Sequence, residues 1–348
     1  MFSRLCLLTV LILPGVFAHA QQAQGDTQPI FEVPQADVYA RYRYIDNTSG
    51  VVTSDDLQYR FTGRLKLNSR KTGTYAGSRI ETGSSIASSW SNSGIGKSPA
   101  EWVLNVKTLF VGQRVSKKAE VEIGSMDFEY GAGTEALYAD QDSYTEGYRL
   151  RIHDLEGKFL PSKVVMHFGY VGDFNKVNTF GRMHRLGEIN YVQIVAEKKL
   201  AKWMTASAEF DRLRGLNLIR SAGKMTLPDS WLVNDLRIET VARLNDSATA
   251  GWALQVVKTK NRLGSFNPGI YYSHLPTGVY RVGTAQALVN GDMYGTGKRI
   301  GVTAKRQVTK AFDVSALITR KLESEPGFRW RAQIVGRYQL ASLFKWLP

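Results

Sequence analysis

Basic side chains recur at alternate positions along this chain, and that spacing is the first feature able to do chemistry. Arg41 and Arg43 share one phase of their stretch, as do Arg60, Arg64 and Lys66, and Arg149 and Arg151. Arg79, Arg237, Arg243, Arg299, Lys305, Arg329, Arg331 and Arg337 fit the same pattern in theirs. Glu81, Glu120, Glu122, Glu209, Asp211, Glu239 and Asp313 fall on the same faces but are fewer. A cleft with an excess of guanidinium and ammonium groups and low-dielectric walls concentrates anions. Rings of such groups favour anion passage. The expected chemistry is attraction of small anionic solutes, with no covalent step. The alternative is a wall whose charges largely pair and discriminate little.

A second group is acidic. Glu129, Glu135, Asp140, Asp142 and Glu146 edge and occupy the segment Tyr130–Ser143. Folded inward against the basic face, this segment makes a constriction in which opposed charges orient dipolar solutes, with Glu135, Asp140 and Asp142 as the candidate residues. Left outside, it is a loop of solvated carboxylates. Asp140 and Asp142 could touch Ca²⁺, but the remaining ligands of an EF-hand loop are missing, so no metal site is expected.

Catalysis needs a constellation that the sequence does not offer. His153, His167, His184 and His274 show no H-E-x-x-H spacing, and there is no G-x-S-x-G. The chain is not read as an enzyme, and no catalytic residue or cofactor is expected. Nucleic acid is also not an expected partner, because the arginines are dispersed over alternating faces of many segments.

Alternation defines the elements that must carry these residues. From Leu57 to Asn68, Leu57, Tyr59, Phe61, Gly63, Leu65 and Leu67 separate completely from Gln58, Arg60, Thr62, Arg64, Lys66 and Asn68. A strand produces this separation and a helix does not. The same period predicts strands near residues 38–45, 57–68, 75–83, 102–114, 119–129, 144–153, 162–172, 188–198, 203–213, 216–226, 234–244, 249–260, 268–274, 298–308, 312–321 and 329–340. Several are about ten residues long, the length of a tilted membrane strand. Their connections differ by parity. Ser84–Glu101, Tyr130–Ser143, Asp173–Gly187 and Leu275–Gly297 are long, whereas the clear connections of opposite parity are short. Long external loops and short periplasmic turns give a membrane barrel this asymmetry.

Composition agrees. The 348 residues carry a formal net charge of +14 with 43% hydrophobic residues, and the mean hydropathy is −0.24. No stretch approaches the roughly 18 apolar residues of a membrane helix. Residues 1–20 read as a secretory signal: Arg4, an apolar run from Leu5 to Phe17, then Ala18-His19-Ala20. Cys6 lies inside it and is the sole cysteine, so the mature chain has no thiol for disulfides or metal. Residues 21–36, Gln-rich with Pro29 and Pro34, are expected to be a flexible lead-in, and 37–348 a single barrel domain.

In lipid every backbone polar group needs an internal partner, which a closed antiparallel ring supplies. So many long charged side chains on the inner face call for a wide, wet lumen. The expected fold is therefore all-β: an antiparallel transmembrane β-barrel of about 16 strands, within 14–18. Tyr39, Trp102, Tyr130, Tyr144, Tyr170, Trp203, Trp231, Trp330 and Tyr338, near strand ends, are the expected interfacial girdles.

The stretch Leu104 to Ile152 resembles a family of bacterial outer-membrane porin-like barrels that includes an alginate-export-like group. The matching features are Leu104-Asn105-Val106-Lys107, the run Glu122-Ile123-Gly124-Ser125-Met126-Asp127-Phe128-Glu129-Tyr130-Gly131, and Gly147-Tyr148-Arg149-Leu150. Arg79-Ile80-Glu81-Thr82-Gly83 before a Ser/Asn-rich loop is similar to those proteins too. The resemblance implies a Gram-negative outer membrane, contact with its lipid and with the barrel assembly machinery, and passive passage of solutes. A homo-oligomer is compatible with it. Such barrels commonly end in an aromatic residue, a role that would fall here on Phe344 or Trp346, inside the last five residues. The function expected is a passive channel biased toward small anions. Export of an acidic polysaccharide is one alternative, and a non-conducting adhesin or structural anchor is the other.

Overall fold

The computed structural model describes residues 30–340 except 70, 87, 134–141, 156, 158, 159, 214, 245–249, 260–262, 277–295 and 324–326. Its strands are β1 (Phe31–Asn47), β2 (Val52–Asn68), β3 (Thr74–Thr82), β4 (Ser91–Gly96), β5 (Leu104–Arg114), β6 (Ala119–Asp127), β7 (Tyr144–His153), β8 (Lys163–Tyr170), β9 (Tyr191–Ala201), β10 (Met204–Leu213), β11 (Leu216–Thr226), β12 (Asp235–Arg243), β13 (Ala250–Val257), β14 (Phe266–Leu275), β15 (Gly297–Gln307), β16 (Phe312–Lys321) and β17 (Phe328–Gln339).

They form one antiparallel sheet that closes on itself. β17 pairs with β1 from Asp37↔Gln339 to Asn47↔Phe328, and β1 pairs with β2 on its other side. The β17–β1 pairing closes the ring, so its first and last strands present no open edge, while β4 is paired on its β2 side. β1 begins, and β17 ends, at the same rim.

β3 and β4 are collinear halves of one strand. Along β2, Asn68 to Thr62 pair with Tyr75 to Glu81, and Tyr59 to Asp56 then pair with Ser91 to Gly96. Between the halves, residues 83–90 leave the wall. The ring therefore has sixteen strand positions, the expected number. The Thr82 hydroxyl accepts from the Phe61 N–H and so satisfies one backbone group opposite the gap. The sequence assigned this whole region to the long connection Ser84–Glu101; the structure divides it into an excursion, a strand and a short turn.

Alternation sets the two faces. Val38, Tyr42, Ile123, Phe168, Ile194, Ile238, Ile300 and Ile334 are exposed on the outside, while Arg41, Glu122, Arg149, Gln193, Glu239 and Arg299 are buried on the inside. A lipid-spanning wall requires this separation.

Several expectations are corrected. Tyr39, Tyr144 and Tyr170 do not join the girdles: all three are buried. Tyr39 shares the inner phase of Asp37 and Arg41, and Tyr144 donates to the Val177 carbonyl. Tyr130 packs against the internal apolar cluster. Trp102, Trp203, Trp231 and Tyr338 are exposed as expected of girdle residues. β1 starts at Phe31, so residues 31–36 belong to the first strand, where Phe31 faces Leu67.

The interior is not wet throughout. Leu213, Leu216, Leu218, Val241, Ala253, Tyr271, Leu275 and Leu317 point inward and form one buried cluster with Phe128, Val171 and Tyr191. Phe128 and Val171 belong to connections that fold onto this wall. Apolar inward residues give those connections a surface to pack on, which a uniformly charged wall could not.

A row of glycines marks a close backbone approach. Gly124, Gly147 and Gly169 are in register across β6, β7 and β8. A Cβ on Gly124 would lie 2.3 Å from the Leu109 carbonyl oxygen, and one on Gly147 would lie 2.0 Å from that of Phe168. Gly124 also has φ +135°, which side-chain-bearing residues rarely adopt.

Candidate functional site

The fifteen basic residues share the inward phase of their strands, and most are held by partners. Glu122 and Glu129 hold Arg149 and Arg151. Asp127 binds Arg64 at 2.7 Å and Arg79 at 3.1 Å. Asp235 binds Arg237 at 2.8 Å, and Asp46 binds Arg329 at 2.6 Å. Asp313 holds Arg337 and, at 3.7 Å, Lys305. Arg41 Nε donates to the Gln58 side chain at 3.0 Å, and Arg43 Nε donates to Ser54 Oγ at 3.1 Å. The Lys66 ammonium lies 5.2 Å from the Tyr75 ring centroid. Arg331 donates to Gln333 at 3.2 Å, and Arg299 donates to the Thr296 carbonyl at 3.3 Å. Arg243 shares the inner phase of Arg237 and Glu239. Opposed charges thus compensate much of the wall while fixing the side chains in place. In the buried pairs among them, such as Arg149 with Glu122, the Coulomb gain largely offsets desolvation, so their main effect is to set position.

Two segments enter the ring and meet at Asp142. The excursion 83–90 is tied down by Lys107, whose ammonium donates to the Ser88 carbonyl at 3.0 Å and to Ser89 Oγ at 2.9 Å. The connection after β6 is held to the inner wall at its two described ends. Glu129 N–H donates to Gln193, and Ala132 N–H donates to Ser207 Oγ on β10. At its other end stands Asp142. There Oδ1 accepts from Arg60 Nη1 at 3.2 Å, and Oδ2 accepts from the Ser89 N–H at 3.0 Å. Its carbonyl accepts from Arg79 at 2.9 Å and from Lys107 at 3.3 Å. Burial raises the Asp142 carboxyl, but Arg60, Lys107 and the Ser89 N–H outweigh it and hold the group below its ordinary range. Glu129 behaves alike: burial raises it, and Arg151, Arg149 and Lys163 bring it down to about 2. Of the candidate constriction residues, Asp142 takes part in this junction, while Glu135 and Asp140 lie outside the described residues.

Trp90, at the end of the excursion, is the aromatic centre of the basic wall. The Arg41 guanidinium stacks 3.8 Å from its ring centroid and that of Arg60 lies at 4.9 Å, while Tyr39 meets it edge-on. Cation–π contacts let two like-charged guanidinium groups share one anchor.

Some site residues were missed. Lys107 sits in the outward phase set by Leu109 and Val111, but a register shift between Arg79 and Ile80 against β5 turns it inward. A bulge has no alternation signal and restarts the phase. Glu146 is the reverse case. It lies in register with Ser125 and Tyr170, in the outward phase of Tyr148. Segment 171–190 covers it there: Arg182 Nε donates to Oε1 at 2.7 Å, and both side chains are fully buried. Arg220, bound by Glu209 and Asp211 on the inner wall, was also passed over.

No protein-family model matches the sequence, and no curated protein does. Solved structures do resemble the fold. Salmonella typhi OmpF in complex with daunomycin aligns with a TM-score of 0.57 at 13% identity, over 89% of this chain and 97% of that one. A mutant of the Rh. blastica porin aligns with a TM-score of 0.53 at 11% identity, over 89% and 99%. The chain therefore has the sixteen-stranded porin-type barrel fold.

Proposed function

We propose that this protein is an outer-membrane channel for passive diffusion of small solutes, with a narrowed interior whose basic wall favours small anions. One observation carries the reading: Ser89 and Asp142, from the connections that follow β3 and β6, meet at the inner wall and are fastened there to Arg60, Arg79 and Lys107. A non-conducting anchor has no need of a charged, inwardly braced constriction. The porin neighbours support the same reading, as does the apolar outer face. In it, the basic wall concentrates anions while the paired carboxylates keep the guanidinium groups positioned.

Planar-bilayer recording tests it. Stepwise conductance is expected, with a reversal potential in a salt gradient displaced toward the anion value. A cation-preferring potential refutes the charge argument. Absence of conductance favours the anchor. Current blocked by acidic oligosaccharides at far lower concentration than by simple anions favours the polysaccharide exporter.

A further inference from the structure

We propose that the wall of β14–β17 carries a discrete binding site for a small oxyanion, built by Arg299, Arg331, Tyr271, Ser273 and Thr319 and separate from the Asp142 junction. The ladder places these residues together. Tyr271 faces Gly301, Gly301 faces Thr319, and Thr319 faces Arg331, so one row crosses four strands. Ser273 faces Arg299 in the next inward row. Gly301 leaves room for the Tyr271 ring to lie across it: a Cβ there would come within 2.5 Å of the Tyr271 hydroxyl. That hydroxyl reaches toward Thr319, and Tyr271 lies in the field of both Arg299 and Arg331.

One hydroxyl points to a ligand. Ser273 is 1% exposed and its side-chain oxygen has no hydrogen-bond partner among the described residues, while Thr319, 0% exposed, faces the Tyr271 hydroxyl beside it. Buried polar groups are nearly always satisfied, so such an atom calls for a bound species. The charge says which kind. Asp313 is the single carboxylate in the sequence of β14–β17, and it is engaged by Arg337 near the rim where β1 begins. The row therefore presents two guanidinium groups and three hydroxyls, a donor-rich set. An ion with several acceptor oxygens answers it better than water or a cation does. Phosphate-class oxyanions have that chemistry.

The proposal deepens the channel reading and rests on it for the route by which the ion arrives, but binding is measurable without conduction. The full-length barrel in detergent is titrated with inorganic phosphate by calorimetry, with chloride as comparison. One saturable site for phosphate is expected. The double variant S273A/T319V should weaken it about tenfold, since hydrogen bonds to a charged partner are lost. R299Q should weaken it further. Heat-modifiable gel mobility confirms that each variant has closed its ring, and S273A alone serves if the double variant has not. Absence of saturable phosphate binding, or unchanged binding in the hydroxyl variants, overturns the site. Recording the same protein in bilayers separates the two ideas. Saturable binding with electrically silent membranes keeps the site and sinks the channel. Anion-selective conduction without saturable binding does the opposite.

Discussion

Replacing Asp142 with Asn tests the inward-braced segments directly. The carboxylate receives Arg60 Nη1 at 3.2 Å and the Ser89 N–H at 3.0 Å, so it links the connection after β6 both to the wall and to the excursion. At that separation the bare attraction to Arg60 is about 5 kcal/mol at an effective dielectric of about 20. Desolvation and the hydrogen bond that Asn retains reduce the net loss to roughly 2 kcal/mol. That shifts the balance between seated and released segment by about 30-fold. Arg79 and Lys107 still grip the residue 142 carbonyl, so loosening and not collapse is expected. Arg60 remains beside the Tyr39 ring at 4.1 Å and gains in positive influence. Single-channel records of Asp142→Asn should show more frequent brief closures and a reversal potential moved further toward the anion value. Asp142→Glu keeps the charge and should change both less. If closures, conductance and selectivity all match the parent, the bracing argument is wrong.

Acid should act on the same junction. Glu129 is held at about 2 by its basic neighbours, so its folded value is depressed. Its contribution is full above the ordinary carboxylate value and is lost as pH falls from there toward about 2, and Asp142 shifts in the same direction. Hydrogen-exchange protection factors in residues 128–133, with the intrinsic pH dependence of exchange divided out, should be flat from neutrality to pH 5 and fall below it; a change centred near pH 7 would contradict this. Arg182→Met leaves Glu146 as a buried, uncompensated charge on the outward phase, at a cost of about 3–5 kcal/mol. Limited proteolysis should then cut within residues 171–190, and Arg182→Met with Glu146→Leu should regain resistance. Gly147→Ala forces a methyl against the Phe168 carbonyl oxygen. Overpacking of this kind costs about 1–3 kcal/mol, so heat-modifiable mobility should be lost at a lower temperature than in Gly63→Ala, whose nearest neighbour is a phenylalanine ring at 3.3 Å.

The ring was legible because lipid imposes strict alternation: the runs around Leu57–Asn68 and Met204–Leu213 announce both strand and face. Legibility failed where the wall does not meet lipid on one side and water on the other. Val241 and Leu317 point inward to receive folded segments, so their apolar character carried no hint of direction. Glu146 is charged on the outward phase because Arg182 shields it, a long-range fact absent from local pattern. Lys107 was hidden by a bulge. Tyr144 and Tyr170 have the composition of girdle residues, and only their cover by segment 171–190 reveals otherwise.

The split third strand has an evolutionary corollary. Because β3 and β4 each hold their own register against β2, the stretch between them can grow or shrink without shifting any hydrogen bond of the cylinder. If the protein conducts as proposed, insertions and deletions at residues 83–90 would act as a dial on bore width while leaving the strand number of the cylinder untouched, and permeability would be retuned at this place without remodelling the wall.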